Sequence, residues 1–174
     1  MSATADHLSD PELLATEWDL EPLVDGRDGA GVDELLDRAT ERAATFASLY
    51  AGRVDALDAA ELEAAMRELA DINELVGRAG SYAALRFSTD TADPTRGALL
   101  QKVQERGTEI ETKLLFFELE WAAVGDDAAD RLLDNGAALD FCRHYLRSVR
   151  RYRPHLLSEP EEKILAEKSI SSQS

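Results

Sequence analysis

Three histidines, one cysteine and 35 acidic residues are the side chains with which this chain could do chemistry. A hydrolytic zinc centre on a helix needs two histidines one turn apart, with a glutamate beside the first to act as general base. His7, His144 and His155 do not have that spacing, and none is followed by Glu. A di-iron bundle needs Glu three residues before His, and those places hold Thr4, Phe141 and Tyr152. Asp140 and His144 stand four apart with Cys142 between them, so the donor types suit a metal. On a helix, however, Cys142 points away from the other two. The spacing therefore predicts an ordinary Asp–His contact there. His155 follows Pro154 in a connecting stretch and carries no catalytic assignment.

Nucleophile patterns fail in the same way. Gly80-Ser81 lies inside a helical pattern and lacks the strand–turn–helix setting of a nucleophile elbow. Glu118 and Glu120 are two apart and diverge on a helix, which predicts solvated carboxylates. Asp126, Asp127 and Asp130 lack the spacing of a calcium loop. No catalytic and no metal-binding residue is assigned to this chain. One local feature stands against the acidic background, the cluster Arg143, Arg147, Arg150, Arg151 and Arg153 within eleven residues. Such a cluster either neutralises neighbouring Asp and Glu or docks an acidic face of a second domain.

The elements that would position these residues are helices. Val32, Leu36, Ala39, Ala43, Phe46 and Tyr50 recur at steps of three and four. So do Leu62, Ala65, Leu69, Ile72, Val76, Ala79 and Ala83, and again Leu100, Val103, Gly107, Ile110, Leu114, Phe117 and Trp121. Each set falls on one stripe of an α-helix, and a strand would need period two. Asp58 followed by Glu61 reads as a capping box, and Asp93-Pro94 as an N-cap with proline at the first helical position. Glycine-bearing or polar loops at Gly26–Gly31, Gly52–Leu57 and Ser88–Asp93 separate the stripes. The prediction is three long helices over 32–51, 58–87 and 94–124. Short loops between them imply antiparallel packing at shallow angles. Small residues on the stripes (Ala65, Ala79, Ala83 and Gly107) would let backbones approach closely.

Beyond Trp121 the pattern shortens. A brief helix over Asp126–Leu133 should end at Asn135-Gly136, and Leu139–Arg150 forms another with Leu139, Cys142, Leu146 and Val149 on one face. Ser158 with Glu161 suggests a second capping box, opening a helix through Lys168. The expected organisation is a mobile stretch over residues 1–15, a helical lobe over 16–168 and a frayed end over 169–174.

Bulk properties agree with one all-α domain. The chain has 174 residues, 44% of them hydrophobic and only 6% aromatic. Ala and Leu supply much of the apolar content, and both favour helices. A formal charge of −16, from 35 acids against 19 bases, opposes nucleic acid, because phosphate binding depends on Lys and Arg releasing counterions. A single cysteine excludes an internal disulfide. No basic start with an apolar run marks a signal peptide, and no segment approaches the ~20 apolar residues that span a membrane. The expected location is cytoplasmic, with neither nucleic acid nor membrane as a partner.

Several segments carry a resemblance. Trp18-Asp19-Leu20 resembles the opening Trp-Asp-Leu of oligoendopeptidase F-like zinc metallopeptidases, of the thimet oligopeptidase superfamily. Tyr82-Ala83-Ala84-Leu85, followed by Thr89-Asp90-Thr91-Ala92-Asp93-Pro94, is similar to their turn between two long helices. Phe116-Phe117-Glu118-Leu119-Glu120-Trp121 resembles the family's aromatic and acidic helix end. The run from Arg153 to Glu159 (Arg-Pro-His-Leu-Leu-Ser-Glu) is similar to the segment that joins the helical N-terminal region to the catalytic domain. Together these cover about Trp18 to Lys168. The resemblance implies a cytoplasmic enzyme that cuts short peptides inside a channel between two helical lobes. It also implies zinc held by two His and one Glu in a later part of the chain. None of those positions exists here, so this chain would be the non-catalytic N-terminal lobe. Its partners would be the downstream catalytic domain of the same polypeptide and oligopeptide substrates. A stand-alone helical interaction module or adaptor is the competing reading. A downstream His-Glu-x-x-His in frame with this chain separates the two.

Overall fold

The computed structural model describes residues 18–134, 137–157 and 159–171. The expected mobile stretch over 1–15, the Asn135-Gly136 stop, the Ser158 cap and the end of the chain from 172 lie outside the described residues. Among the described residues the fold is all-α, with helices α1 Asp28–Tyr50, α2 Ala59–Thr89, α3 Pro94–Ala123, α4 Asp126–Asp134, α5 Arg143–Arg151 and α6 Glu159–Ser171. Short 3-10 turns occupy Glu21–Val24, Val54–Ala56, Ala137–Leu139 and Arg153–His155.

Helices α1, α2 and α3 pack against one another in every pair, returning through the short connections the sequence predicts. Their stripes supply the core. Val32, Leu36, Ala39, Ala43 and Phe46 from α1, Leu62, Ala65, Leu69, Ile72, Ala79 and Ala83 from α2, and Val103, Ile110, Leu114, Phe117 and Trp121 from α3 are all buried. The buried face is wider than one stripe, because Leu35, Met66, Leu75, Tyr82 and Phe116 join it. A helix touching two neighbours needs an apolar face broader than a coiled-coil seam. Phe46 holds the aromatic centre, with ring centroids 4.8 Å from Tyr50, 5.5 Å from Phe117 and 5.9 Å from Phe116.

The caps follow the sequence closely. Asp58 Oδ1 accepts from the Ala60 and Glu61 amides at 2.9 and 2.8 Å, and Glu61 accepts in return from the Asp58 amide at 3.0 Å. Asp93 Oδ1 accepts from the Thr95 amide at 2.8 Å, ahead of Pro94. The start of α1 differs from expectation, because it begins at Asp28, inside the predicted loop. Tertiary contact explains this. Tyr82 donates to Asp28 Oδ1 at 2.8 Å, and Gly31 lies under the Val24 carbonyl, where an added Cβ would stand 2.3 Å from the oxygen. Only glycine permits that approach. At Gly107 the corresponding Cβ would meet Val76 at an ordinary 3.7 Å, so close approach there does not require glycine.

Two C-terminal boundaries also shift. The predicted helix from Leu139 splits into a 3-10 turn at Ala137–Leu139 and α5 from Arg143, although Leu139, Cys142 and Leu146 are buried as the pattern requires. The helix expected to stop at Lys168 runs to Ser171.

Candidate functional site

The arginine cluster that the sequence singled out lies on α5 and the turn after it, and part of it reaches the end of α3. Trp121 is completely buried there and its indole N–H donates to the Leu146 carbonyl at 2.9 Å, tying α5 to the bundle. Arg150 reaches back from α5. Its Nη1 donates to the carbonyls of Trp121 at 3.0 Å and Val124 at 2.7 Å, its Nη2 pairs with Asp126, and its guanidinium lies 5.7 Å from the Trp121 ring centroid. A cation on the last carbonyls of a helix satisfies acceptors that have no intrahelical donor and complements the helix dipole.

The other arginines of the cluster divide. Arg143 pairs with Asp140 at 2.6 Å, Arg147 with Asp134 at 3.2 Å, and Arg153 with Asp126 at 3.6 Å. Arg151 is exposed and has no ion pair among the described residues. The cluster is therefore not one surface. Arg150 is built into the fold, with a side chain only 12% exposed, whereas Arg147 and Arg153 are half-exposed in the same terms, at 51% and 50%.

Metal chemistry finds no footing in these residues. Asp140 lies in the turn before α5 and binds Arg143, so it does not share a helix face with His144. His144 and His155 are exposed, and His7 lies outside the described residues. Cys142 is buried and its thiol is pushed up, chiefly by burial. Among the described residues no three His, Cys, Asp or Glu side chains are grouped to hold a metal ion. The donor set does not fit zinc.

Two acids expected to be solvated are in use. Glu118 accepts from the Tyr145 hydroxyl at 2.5 Å, and that phenol is pushed well above its ordinary value by burial and by the Glu118 bond. Glu120 accepts from the Gly52 amide at 2.8 Å and the Val54 amide at 3.3 Å, fixing the α1–α2 connection on α3. None of these three partners was visible in sequence, since they lie 27 to 68 residues away.

A concavity, unmarked by any spacing, lies at the opposite end of α3. It has a volume of about 740 Å³; Trp18, Leu85, Arg86 and Arg96 line it together with the acids Asp19 and Glu21. Arg86 stands over the Tyr82 ring at 5.8 Å. Tyr82 is 1% exposed, and burial together with its bond to Asp28 raises its phenol to about 12. Asp28 moves the other way, held below the usual carboxylate range by hydrogen bonding with Tyr82 and Glu21 and by the Arg86 charge. The only sequence signal here is that Trp18-Asp19-Leu20 and the turn after Tyr82, both parts of the resemblance, meet at one place.

Comparison with known proteins bears on the C-terminal end. The family described as Oligopeptidase F matches residues 120–174. Oligopeptidase PepF of Bacillus subtilis (strain 168) is 28% identical over 98 residues, which make up 56% of this chain and 15% of that protein. The chain thus spans a small part of the curated relative it matches. No solved structure matches it. The matched stretch begins at Glu120 and takes in Trp121, Arg150 and the connecting segment at Arg153, the residues that seat α5 on α3. Residues 120–174 are thus similar to the Oligopeptidase F family, and 98 residues of the chain are similar to part of the Bacillus subtilis peptidase.

Proposed function

We propose that this chain is the non-catalytic N-terminal lobe of an oligoendopeptidase F-like zinc metalloendopeptidase and forms part of the wall of a channel that admits short peptides. The observation that carries the reading is the Oligopeptidase F match over residues 120–174. It falls on a segment with an unusual surface. Tyr152, Leu157, Ile164 and Leu165 are 66%, 49%, 57% and 58% exposed, a run of large apolar side chains that water does not favour. In the proposal these side chains and the exposed Arg147, Arg151 and Arg153 meet the catalytic domain, which lies downstream in the same polypeptide. Zinc and the base that activates water belong to that domain. A cytoplasmic location belongs to the same reading and rests on the resemblance. Among the described residues no helix is long and apolar enough to cross a membrane.

The test is hydrolysis of a quenched fluorescent oligopeptide by this chain with added zinc, beside the chain extended through its downstream sequence. Cleavage by the extended form alone supports the lobe. Cleavage by neither form favours a helical interaction module, and cleavage by the short form means that this chain holds a catalytic site.

A further inference from the structure

We propose that the cavity between Trp18 and the α2–α3 turn binds the C-terminal carboxylate of a short peptide whose last side chain is apolar or aromatic. Its volume of about 740 Å³ lies within the range of small-ligand sites. Its cations set the chemistry. Arg86 is half-buried, its guanidinium stands 5.8 Å from the Tyr82 ring centroid, and its charge is felt by Asp28, which is bonded to the same tyrosine. No described carboxylate lies within ion-pair distance of it, in a chain where acids outnumber bases 35 to 19. Arg96 is held in place by the Arg86 carbonyl at 3.0 Å, the Thr89 hydroxyl at 2.5 Å and Asp93 at 3.3 Å, and it keeps Nη2 without a described partner. Guanidinium donors in a partly desolvated recess match a carboxylate in geometry and charge.

The walls choose among anions. Trp18 presents an indole that is 79% exposed, and Leu85 adds an exposed aliphatic edge, so an apolar side chain next to the carboxylate has a surface to cover. Ser88 and Thr89 donate their hydroxyl protons to the Leu85 and Arg86 carbonyls, each at 2.8 Å, which leaves Ser88 Oγ as an acceptor for a peptide N–H. Asp19 and Glu21 also line the cavity. Their charges oppose a multiply charged phosphate more than a single carboxylate. One carboxylate, an adjacent N–H and an apolar group together describe a peptide C-terminus.

Tryptophan emission reads this site directly, because Trp121 is completely buried and Trp18 is the exposed indole. The probes are acetyl-Ala-Ala-Phe with a free carboxylate, the same peptide amidated, and inorganic phosphate, each titrated into the full chain. The expected result is saturable quenching by the free acid and binding at least about tenfold weaker for the amide and for phosphate. Arg86→Gln should weaken the free acid by a similar factor, and Arg86→Lys by less. The Arg86 side chain makes no described hydrogen bond, so circular dichroism should show both variants folded. Equal affinity for acid and amide overturns the proposal without any variant. So does phosphate binding as tightly as the peptide, the absence of saturable quenching, or an Arg86→Gln variant that binds the free acid unchanged.

Discussion

Between Asp28 and Ala123 the chain buries whole side chains from three helices against each other, whereas from Asp126 to Ser171 it relies on a few anchors. The first region places Phe46, Leu62, Ile72, Tyr82, Ile110 and Phe117 almost wholly out of water. In the second, Leu133, Leu139 and Leu146 reach that depth, while Tyr152, Leu157, Ile164 and Leu165 stay exposed. Non-directional burial holds the bundle. The C-terminal region adds Ala129, Leu133, Leu139, Cys142 and Leu146 to the same core, and directional bonds from Trp121 and Arg150 to main-chain carbonyls fix its position. The difference teaches that the three long helices contribute most of the buried apolar surface, whereas the C-terminal segment leaves several large apolar side chains exposed.

The sharpest way to break that contrast is Trp121→Ala, since this side chain belongs to both regions. It removes a fully buried indole and leaves the Leu146 carbonyl without its donor, at an expected loss of about 3–5 kcal/mol. Urea denaturation monitored by circular dichroism measures it. A loss under about 1 kcal/mol would mean that α5 is not seated as described. Gly31→Ala comes next, because its Cβ would stand 2.3 Å from the Val24 carbonyl. The strain should cost about 1–3 kcal/mol, although alanine ordinarily favours a helix, and the sign of the change in melting temperature decides the matter.

Within the arginine cluster, Arg150→Gln should cost about 1–3 kcal/mol by freeing the Trp121 and Val124 carbonyls. Arg151→Gln should stay within about 0.5 kcal/mol, as exposed substitutions do. Equal losses would erase the division between a built-in and a free arginine. In a version extended through the downstream domain, reversing Arg147 and Arg151 to Glu should weaken docking while leaving this lobe's stability unchanged. Asp58→Ala should cost about 1 kcal/mol through the lost capping box, on the bundle side of the comparison.

Both regions also share a pH response. Tyr82 in the bundle is raised to about 12 from 10.0, and Tyr145 beyond it is raised as well. A phenol with a higher pKa in the folded state contributes stability that is complete below about pH 10 and falls as the unfolded chain ionises between about pH 10 and 12. Stability should therefore decline over that interval, and Tyr82→Phe should flatten part of the decline. Ultraviolet titration of phenolate formation checks it, and a Tyr82 that ionises at its ordinary value would contradict the packing described.

Much of the bundle was legible because its causes are local. Stripes at steps of three and four, Asp58 with Glu61, and Asp93 with Pro94 each act within a turn or two of helix, so the sequence carries them openly. The second rows of buried residues, such as Leu35, Met66, Leu75 and Tyr82, were not predicted, because their burial depends on which neighbours a helix meets. The C-terminal boundaries were less legible for a related reason. Leu139 and Cys142 fit a helical period, yet the chain there turns in 3-10 geometry before α5 begins.

The candidate surfaces show the same split. The arginine cluster could be counted from sequence, but the assignment of Arg150 to the end of α3 depends on carbonyls 26 and 29 residues away. The Trp18 cavity had no spacing to betray it, since it joins a segment before α1 to the far end of α2. The sequence by itself determined an acidic all-α chain with three long amphipathic helices and the caps of α2 and α3, because periodicity, capping and composition act over short separations. Only the tertiary structure decided which glycine is indispensable, which arginine is part of the fold and where a concave site opens. Those outcomes depend on steric contact and charge between residues that the chain brings together only once it is folded.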